Sequence, residues 1–360
     1  MQQSISTNPL RFLCFGVGAI GTYLGGSLIL AGHEVVFLER PAVADEVRST
    51  GLTLDLGAGG VQRVEHPQVV ASIEDALAKG SFDAGLLAIK AYDTQALVNS
   101  LISHRVALPP IISFQNGVDN EPLLAKELGA ERVIAGTVTT AIGRKGAGSI
   151  VVERLRGIGV ALDHPLGSSL QTVMDSAGLN ARGYPNAAAM KWSKMLTNLL
   201  ANASSAILDL PPGEIYAHPG LFNMEMQQVR EALRVMTTRM IPVVDLPSTP
   251  VRLLATISGR LPPALSRPLL RRALGSGRGN KMPSFHIDLH SGRGKSEVDY
   301  LNGAVVRCGK KVQVATPVNA ALTRILMALT TGEIPLDSYA RQPEKLLEAI
   351  KAGLKQEIQP

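Results

Sequence analysis

Short apolar runs alternate with longer stretches of helical period through the first half of the chain. Residues 11–15, RFLCF, are apolar almost throughout, which predicts a strand buried on both faces. Gly16, Gly18 and Gly21 follow as G-x-G-x-x-G, then a Leu/Ile- and small-residue-rich helix closed by Ala31-Gly32. A second apolar run, 35–38, ends at Glu39-Arg40. Strand, glycine turn, helix and strand make the mononucleotide-binding unit. Beyond it the pattern predicts a helix over 41–50 and short strands over 52–56 and 68–71, parted by a glycine-rich turn at 57–60. Residues 82–90, FDAGLLAIK, and 111–114 read as buried parallel strands. Residues 133–142 and 150–162 read as antiparallel β at the sheet edge with a turn over 143–148, followed by a helix over 167–177.

From Asn186 the period turns helical: Met190, Trp192, Met195, Leu196, Leu199 and Leu200 recur at three- and four-residue spacing. Lys194, Asn198 and Asn202 fall at i, i+4 and i+8, on one face of this predicted helix. A polar stripe in an apolar helix has two readings: a buried network between helices, or a surface that meets a substrate. Lys191 falls on another face and reads as solvated. Further helices are predicted over 222–242, 298–308, 317–331 and 344–356. The fold class is therefore α/β, with a Rossmann-type dinucleotide-binding domain over 1–185 and a mainly α-helical domain over 186–360.

A length of 360 residues accommodates two domains, and the 45% apolar content is enough to fill their cores. Aromatic residues make up only 4%, which argues against a surface that stacks nucleic-acid bases. Two cysteines, Cys14 and Cys308, cannot build a disulfide framework and suit a reducing, cytoplasmic setting. No signal peptide and no membrane-length apolar stretch stands out. The net charge of +6 comes from one segment: Arg252, Arg260, Arg267, Arg271, Arg272, Arg278 and Lys281 lie between Pro250 and Ser284 without an acid among them. That segment, rich in Pro, Gly and Arg, reads as a loop or short-helix insertion with no nucleic-acid role.

In open α/β sheets ligands bind just beyond the carboxyl ends of the strands. The turn Gly16, Val17, Gly18, Ala19, Ile20, Gly21, together with Lys90 and Asn116, stands at that address. Five stretches, GVGAIG, LLAIKAY, SFQNGVDN, KWSKMLTNLLAN and PSFHIDLHSGRGKSEVDYLNGAVV, appear in an order and spacing that resemble the ketopantoate reductase family over about 11–332. The resemblance implies reduction of 2-dehydropantoate to pantoate by NADPH, a step of pantothenate and coenzyme A synthesis. By matching motif it implies that Gly16 to Gly21 hold the pyrophosphate, that Arg40 and Lys90 favour the 2′-phosphate, and that Ala141 lies along the cofactor. Asn116 matches an asparagine near nicotinamide and substrate. Lys194 matches the proton donor, and Asn198, Asn202 and Ser284 match substrate contacts. Glu297 matches a glutamate that helps bind cofactor and orient the active site.

The chain departs from the family pattern at several points. Glu39 precedes Arg40, and an acid at the end of the second strand is the usual mark of NAD; the reading keeps NADPH, with the carboxylate turned away. Pro212 stands where better-known members carry a further asparagine, and the stretch from Ser284 to Glu297 is one residue longer than usual. Two alternatives stay open: a reductase of another 2-oxo acid, and a sensor that binds NADPH without turnover. His286 and His290, at i and i+4, could ligate a metal. Without an obvious third ligand they read as structural or surface residues, so no metal is expected. The expected partner is a small 2-oxo acid, with neither nucleic acid nor membrane; a homodimer is left open.

Overall fold

In a computed structural model, the structure describes residues 9–262, 267–268 and 281–358. Of the basic segment, Arg271, Arg272 and Arg278 lie outside the described residues. The chain divides into two compact units, Met1–Lys191 with Leu246–Thr249, and Trp192–Asp245 with Pro250–Pro360. The division falls inside a helix, six residues after the expected start of the second domain at 186.

The first unit holds strands β1 (Arg11–Phe15), β2 (Glu34–Leu38), β3 (Leu52–Asp55), β4 (Val61–Val64), β5 (Gln68–Val70) and β6 (Ala84–Leu87). It continues with β7 (Ile111–Ser113), β8 (Val133–Val138), β9 (Ala141–Gly146), β10 (Ser149–Arg154), β11 (Ile158–Ala161) and β12 (Ala181–Tyr184). Its helices are α1 (Ala19–Leu30), α2 (Pro41–Thr50), α3 (Ile73–Ala78), α4 (Thr94–Leu101), α5 (Asn120–Leu128) and α6 (Gly167–Met174). Eight strands form one sheet in the order β12-β11-β8-β7-β6-β1-β2-β5. All its pairs are parallel except β8 with β11. Read outward from β1, strands β2 and β5 lie on one side and β6, β7 and β8 on the other, so the order reverses at β1. That reversal is the switch point at which doubly wound sheets bind ligands.

The alternation of side chains along β1 divides the core. Phe12 and Cys14 join one buried cluster with α1, while Leu13 and Phe15 join another beneath residues of α3, α4 and α5. A second sheet, β4-β3-β10-β9, packs against α1 from its other side. Helix α1 is therefore covered on two sides, which explains a sequence, AIGTYLGGSLIL, without a polar face. The two expected strands, 133–142 and 150–162, are four: β8 and β11 pair antiparallel in the main sheet beside its edge strand β12, while the hairpin itself, β9 and β10, belongs to the second sheet, with a turn shorter than 143–148. Strand β4, which is almost wholly exposed, and edge strand β12 were not expected from the sequence.

Helix α7 (Ala187–Leu199) crosses the division between the units. The second unit continues with α8 (Asn202–Leu208), α9 (Pro212–Ala217), α10 (Pro219–Thr238), α11 (Val251–Arg260), α12 (Ser284–Leu289), α13 (Val298–Lys311), α14 (Pro317–Thr331) and α15 (Pro343–Ile358). Helix α10 is central, packing against α9, α11, α13, α14 and α15. It carries a buried polar stripe of Glu225, Gln228 and Glu231. Glu231 accepts from the backbone N–H groups of Val318 and Asn319 and from the Asn319 amide, so it serves the unbonded donors at the start of α14. Burial raises its carboxyl pKa, while those three donors oppose the rise. None of the helices among the described residues is long and apolar enough to cross a membrane.

Candidate active site

Beyond β1 the chain turns at Gly16, whose φ is +98° and whose N–H donates to Leu38 O at 3.0 Å. A Cβ on Gly21 would lie 1.9 Å from Gly16 O, so the third glycine allows turn and helix to meet. A Cβ on Gly18 would meet nothing within 4 Å. The open space over Gly18 is where a phosphate can approach the backbone. Gly18 is also the N-cap of α1, without a side-chain cap and without an acid in the first turn. The helix start thus keeps its favourable field for an anion. These features fit a dinucleotide pyrophosphate.

Glu39 is not turned away. Its carboxylate is only 14% exposed and accepts from Val17 N at 3.0 Å and from Arg40 N at 2.9 Å. Arg40 is 80% exposed, with Nε 3.4 Å from the same carboxylate. The acid and the base at the end of β2 therefore stand side by side next to the glycine turn. Ala141 opens β9 and is half-buried.

At the ends of β6 and β7 a buried polar network supports the other expected cofactor residues. Gln115 Nε2 donates to Ile89 O, the residue before Lys90, at 3.1 Å and to Thr94 Oγ1 at 2.7 Å. Thr94 Oγ1 donates to Asn120 Oδ1 at 3.2 Å, and Asn120 Nδ2 donates to Asn116 O at 2.8 Å. The turns bearing Lys90 and Asn116 are thus joined through Gln115, Thr94 and Asn120. Gly117, with φ +93°, lets the chain fold back after Asn116.

Lys191 belongs to this network, and the expectation that it is solvated is corrected. It is 5% exposed; Nζ donates to Gln115 O at 2.6 Å and Gly136 O at 3.3 Å and pairs with Glu121 at 2.7 Å. Three residues before Lys194 it stands only about 60° away in helical phase, so phase gave no ground for calling it solvated; the side it occupies is covered by the sheet. Gln115, Thr94, Asn120, Glu121 and Lys191 are the supporting residues that sequence reasoning missed. The signals for them were Gln115 and Asn120 inside SFQNGVDN and Lys191 at the head of KWSKMLTNLLAN.

In the second unit Lys194 is half-buried on α7, and Asn198 is half-buried one turn later. The continuous stripe through Asn202 is corrected: Ala201 adopts φ +50°, ending one helix and starting the next. Asn202 opens α8 and is used from three sides. Its Nδ2 donates to Asn198 O at 3.1 Å and Ser284 Oγ at 3.4 Å, and its Oδ1 accepts from Phe285 N at 3.1 Å. The fold thus gathers Asn198, Asn202 and Ser284. Glu297 is buried at the head of α13, in the N-cap position.

Together the sheet order, the switch-point turn and the open helix start define a Rossmann-type dinucleotide-binding domain. Residues 12–160 match the sequence profile of ketopantoate reductase PanE/ApbA, and residues 186–330 match that of its C-terminal part. The chain belongs to the ketopantoate reductase family, and is thereby an oxidoreductase that works with a nicotinamide dinucleotide. A 2-dehydropantoate 2-reductase of Archaeoglobus fulgidus is 26% identical over 327 residues, covering 89% of this chain and 98% of the relative. One from Pyrococcus horikoshii is 26% identical over 325 residues, covering 89% and 97%. The solved PanE/ApbA family ketopantoate reductase from Ralstonia eutropha JMP134 has TM-score 0.75 and 25% identity, over 90% of this chain and 99% of that one. D-mandelate dehydrogenase with NADH and anilino(oxo)acetate shares the fold, with TM-score 0.72 and 22% identity over 90% and 99%.

Proposed function

We propose that the chain reduces 2-dehydropantoate to pantoate with NADPH, in pantothenate synthesis. The observation that carries the reading is the match of both family profiles, because one covers the dinucleotide turn and the other covers Lys194 and Glu297. Reduced nicotinamide, when bound, supplies the hydride for the ketone carbon. The backbone at Gly18 and the start of α1 hold the pyrophosphate. Arg40 offers the 2′-phosphate a planar fork of donors, and Lys90 adds a second positive charge.

Lys194 protonates the ketone oxygen. A lysine can do so near neutral pH if it is held close to the substrate in partly buried surroundings. Glu297 provides the carboxylate that keeps an ammonium favourable there. Asn198 and Ser284 offer neutral hydrogen bonds to carboxylate and hydroxyl, and Asn202 fixes both through its amide.

A second reading of the cofactor rests on Glu39. A carboxylate beside the glycine turn suits the free 2′-hydroxyl of NADH and repels a 2′-phosphate. Rates with NADPH and NADH, against 2-dehydropantoate and a panel of other 2-oxo acids, separate the readings. NADPH use implies that Arg40→Ala raises KM for NADPH far more than for NADH. Equal effects on both would sink the role given to Arg40. Lys194→Ala should cut kcat by about 10²–10⁴-fold with NADPH binding unchanged. A near-normal kcat would remove Lys194 from the mechanism, and binding of NADPH without turnover of any 2-oxo acid would favour a sensor.

A further inference from the structure

His286 and His290 acquire in the fold the third ligand that the sequence did not reveal. Helices α8 and α12 lie side by side and run the same way. Asn202 meets Ser284 and Phe285 at their starts, and Asp209, just past α8, meets His286 in the first turn of α12, with the C-cap His290 close by. Asp209 is the C-cap of α8 with φ +49°, beyond the helix's last turn. His286 Nε2 lies 2.8 Å from Asp209 Oδ1, and the His286 and His290 rings are 4.2 Å apart. One ligand atom from each of Asp209, His286 and His290 falls within 4.8 Å of the other two. Among the described residues this is the one such convergence of three metal-ligating side chains.

We propose that Asp209, His286 and His290 form a binding site for a divalent transition metal of the zinc type. Two imidazoles and one carboxylate are ligands that zinc accepts, with water completing a tetrahedron. Zinc bonds of about 2.0–2.2 Å set tetrahedral ligand atoms about 3.4 Å apart. His290 sits at the exposed end of α12 and Asp209 is also exposed, which leaves these two side chains room to turn toward a shared ion. The exposure gives the ion a path in. His104 and His218 each face a single acid, Glu74 and Glu344, which makes an ion pair and not a chelate. A metal here would clamp the far ends of α8 and α12, the pair whose near ends are held by Asn202. The proposal stands apart from any substrate assignment, since it concerns binding in the cofactor-free chain.

The test is titration of Zn²⁺ into chelator-stripped, full-length protein by calorimetry, with Co²⁺ absorption as an independent readout. One ion per chain is expected, together with the visible bands of four-coordinate Co²⁺ and a raised thermal midpoint. Loss of a residue that only hydrogen-bonds a metal's ligand costs about 10–100-fold in affinity, so loss of a direct ligand in His290→Ala should cost at least as much. The exposed His66 is the control, and His66→Ala should bind as the parent does. No stoichiometric Zn²⁺, no Co²⁺ bands on the parent protein, or unchanged affinity in His290→Ala would each overturn the proposal. So would equal loss in His66→Ala.

Discussion

Replacing Lys191 by Met removes an ammonium whose three donor directions are all used, by Gln115 O, Gly136 O and Glu121. Met keeps most of the buried stem, so the change isolates the charge. Breaking a buried ion pair by removing one partner costs about 3–5 kcal/mol, because the other charge stays behind without compensation. Glu121 is 15% exposed and regains some hydration, which points to the lower end. A loss of about 3 kcal/mol is therefore expected. At about 2–4 °C per kcal/mol for a unit of this size, the first unit should melt about 6–12 °C lower. Had Lys191 been solvated, the loss would be that of an exposed pair, about 0–1 kcal/mol.

The assay is thermal and urea unfolding of the parent, Lys191→Met, and Lys191→Met with Glu121→Gln. Neutralising Glu121 removes the stranded charge, so the double variant should regain part of the loss, a coupling expected of residues in contact. A single-variant loss below about 1 kcal/mol, or a double variant no better than the single, would refute the buried pair.

Two other expectations are simpler. Gly18→Ala should melt like the parent yet weaken NADPH binding at least about tenfold (about 1.4 kcal/mol), since its Cβ enters open space that a phosphate needs, whereas Gly21→Ala, with a Cβ 1.9 Å from Gly16 O, should lower the melting midpoint as well. A Gly18→Ala protein that binds NADPH normally would move the pyrophosphate elsewhere. Burial lowers the pKa of His33, whose Nδ1 accepts from Leu10 N, so the unfolded chain takes up this proton first as pH falls. Its contribution is complete above about pH 6.5 and is lost as pH drops through the lower folded value; urea midpoints of parent and His33→Gln that stay parallel below that pH would remove His33 as the cause.

Much of the first unit was legible because a parallel sheet covered on both faces leaves continuous apolar runs between turn residues. Strands β1, β2, β6 and β7 all announce themselves in this way, and their order around the glycine turn follows from the motif. Strand β4 did not, since VQRV is mostly exposed and has no apolar face to reveal. Strand β12, ARGY, lies at the sheet edge and buries only its first and last residues. The expected positions of Lys90 and Asn116 were legible as strand ends. The network that holds them was not, since Gln115, Thr94, Asn120 and Lys191 meet only through contacts distant in sequence.

The polar stripe on α7 shows where reasoning from period reaches its limit. Spacing of i, i+4 and i+8 puts three side chains on one face only while the helix continues. Leu200-Ala201 carries no glycine or proline to signal a break. The break instead answers to a tertiary partner: Ala201 N donates to Glu225 Oε2 at 2.7 Å, and Ser204 Oγ donates to Glu225 Oε1 at 2.6 Å. Glu225 is fully buried on α10, so it must find donors. The left-handed turn at Ala201 supplies one by freeing an N–H that a straight helix would have used internally. The same turn swings Asn202 toward α12, where its amide reaches Ser284 and Phe285. A buried acid on one helix thus sets how the asparagine on another is presented, a coupling that lies in the pairing of α10 with α8 and in no local pattern of residues.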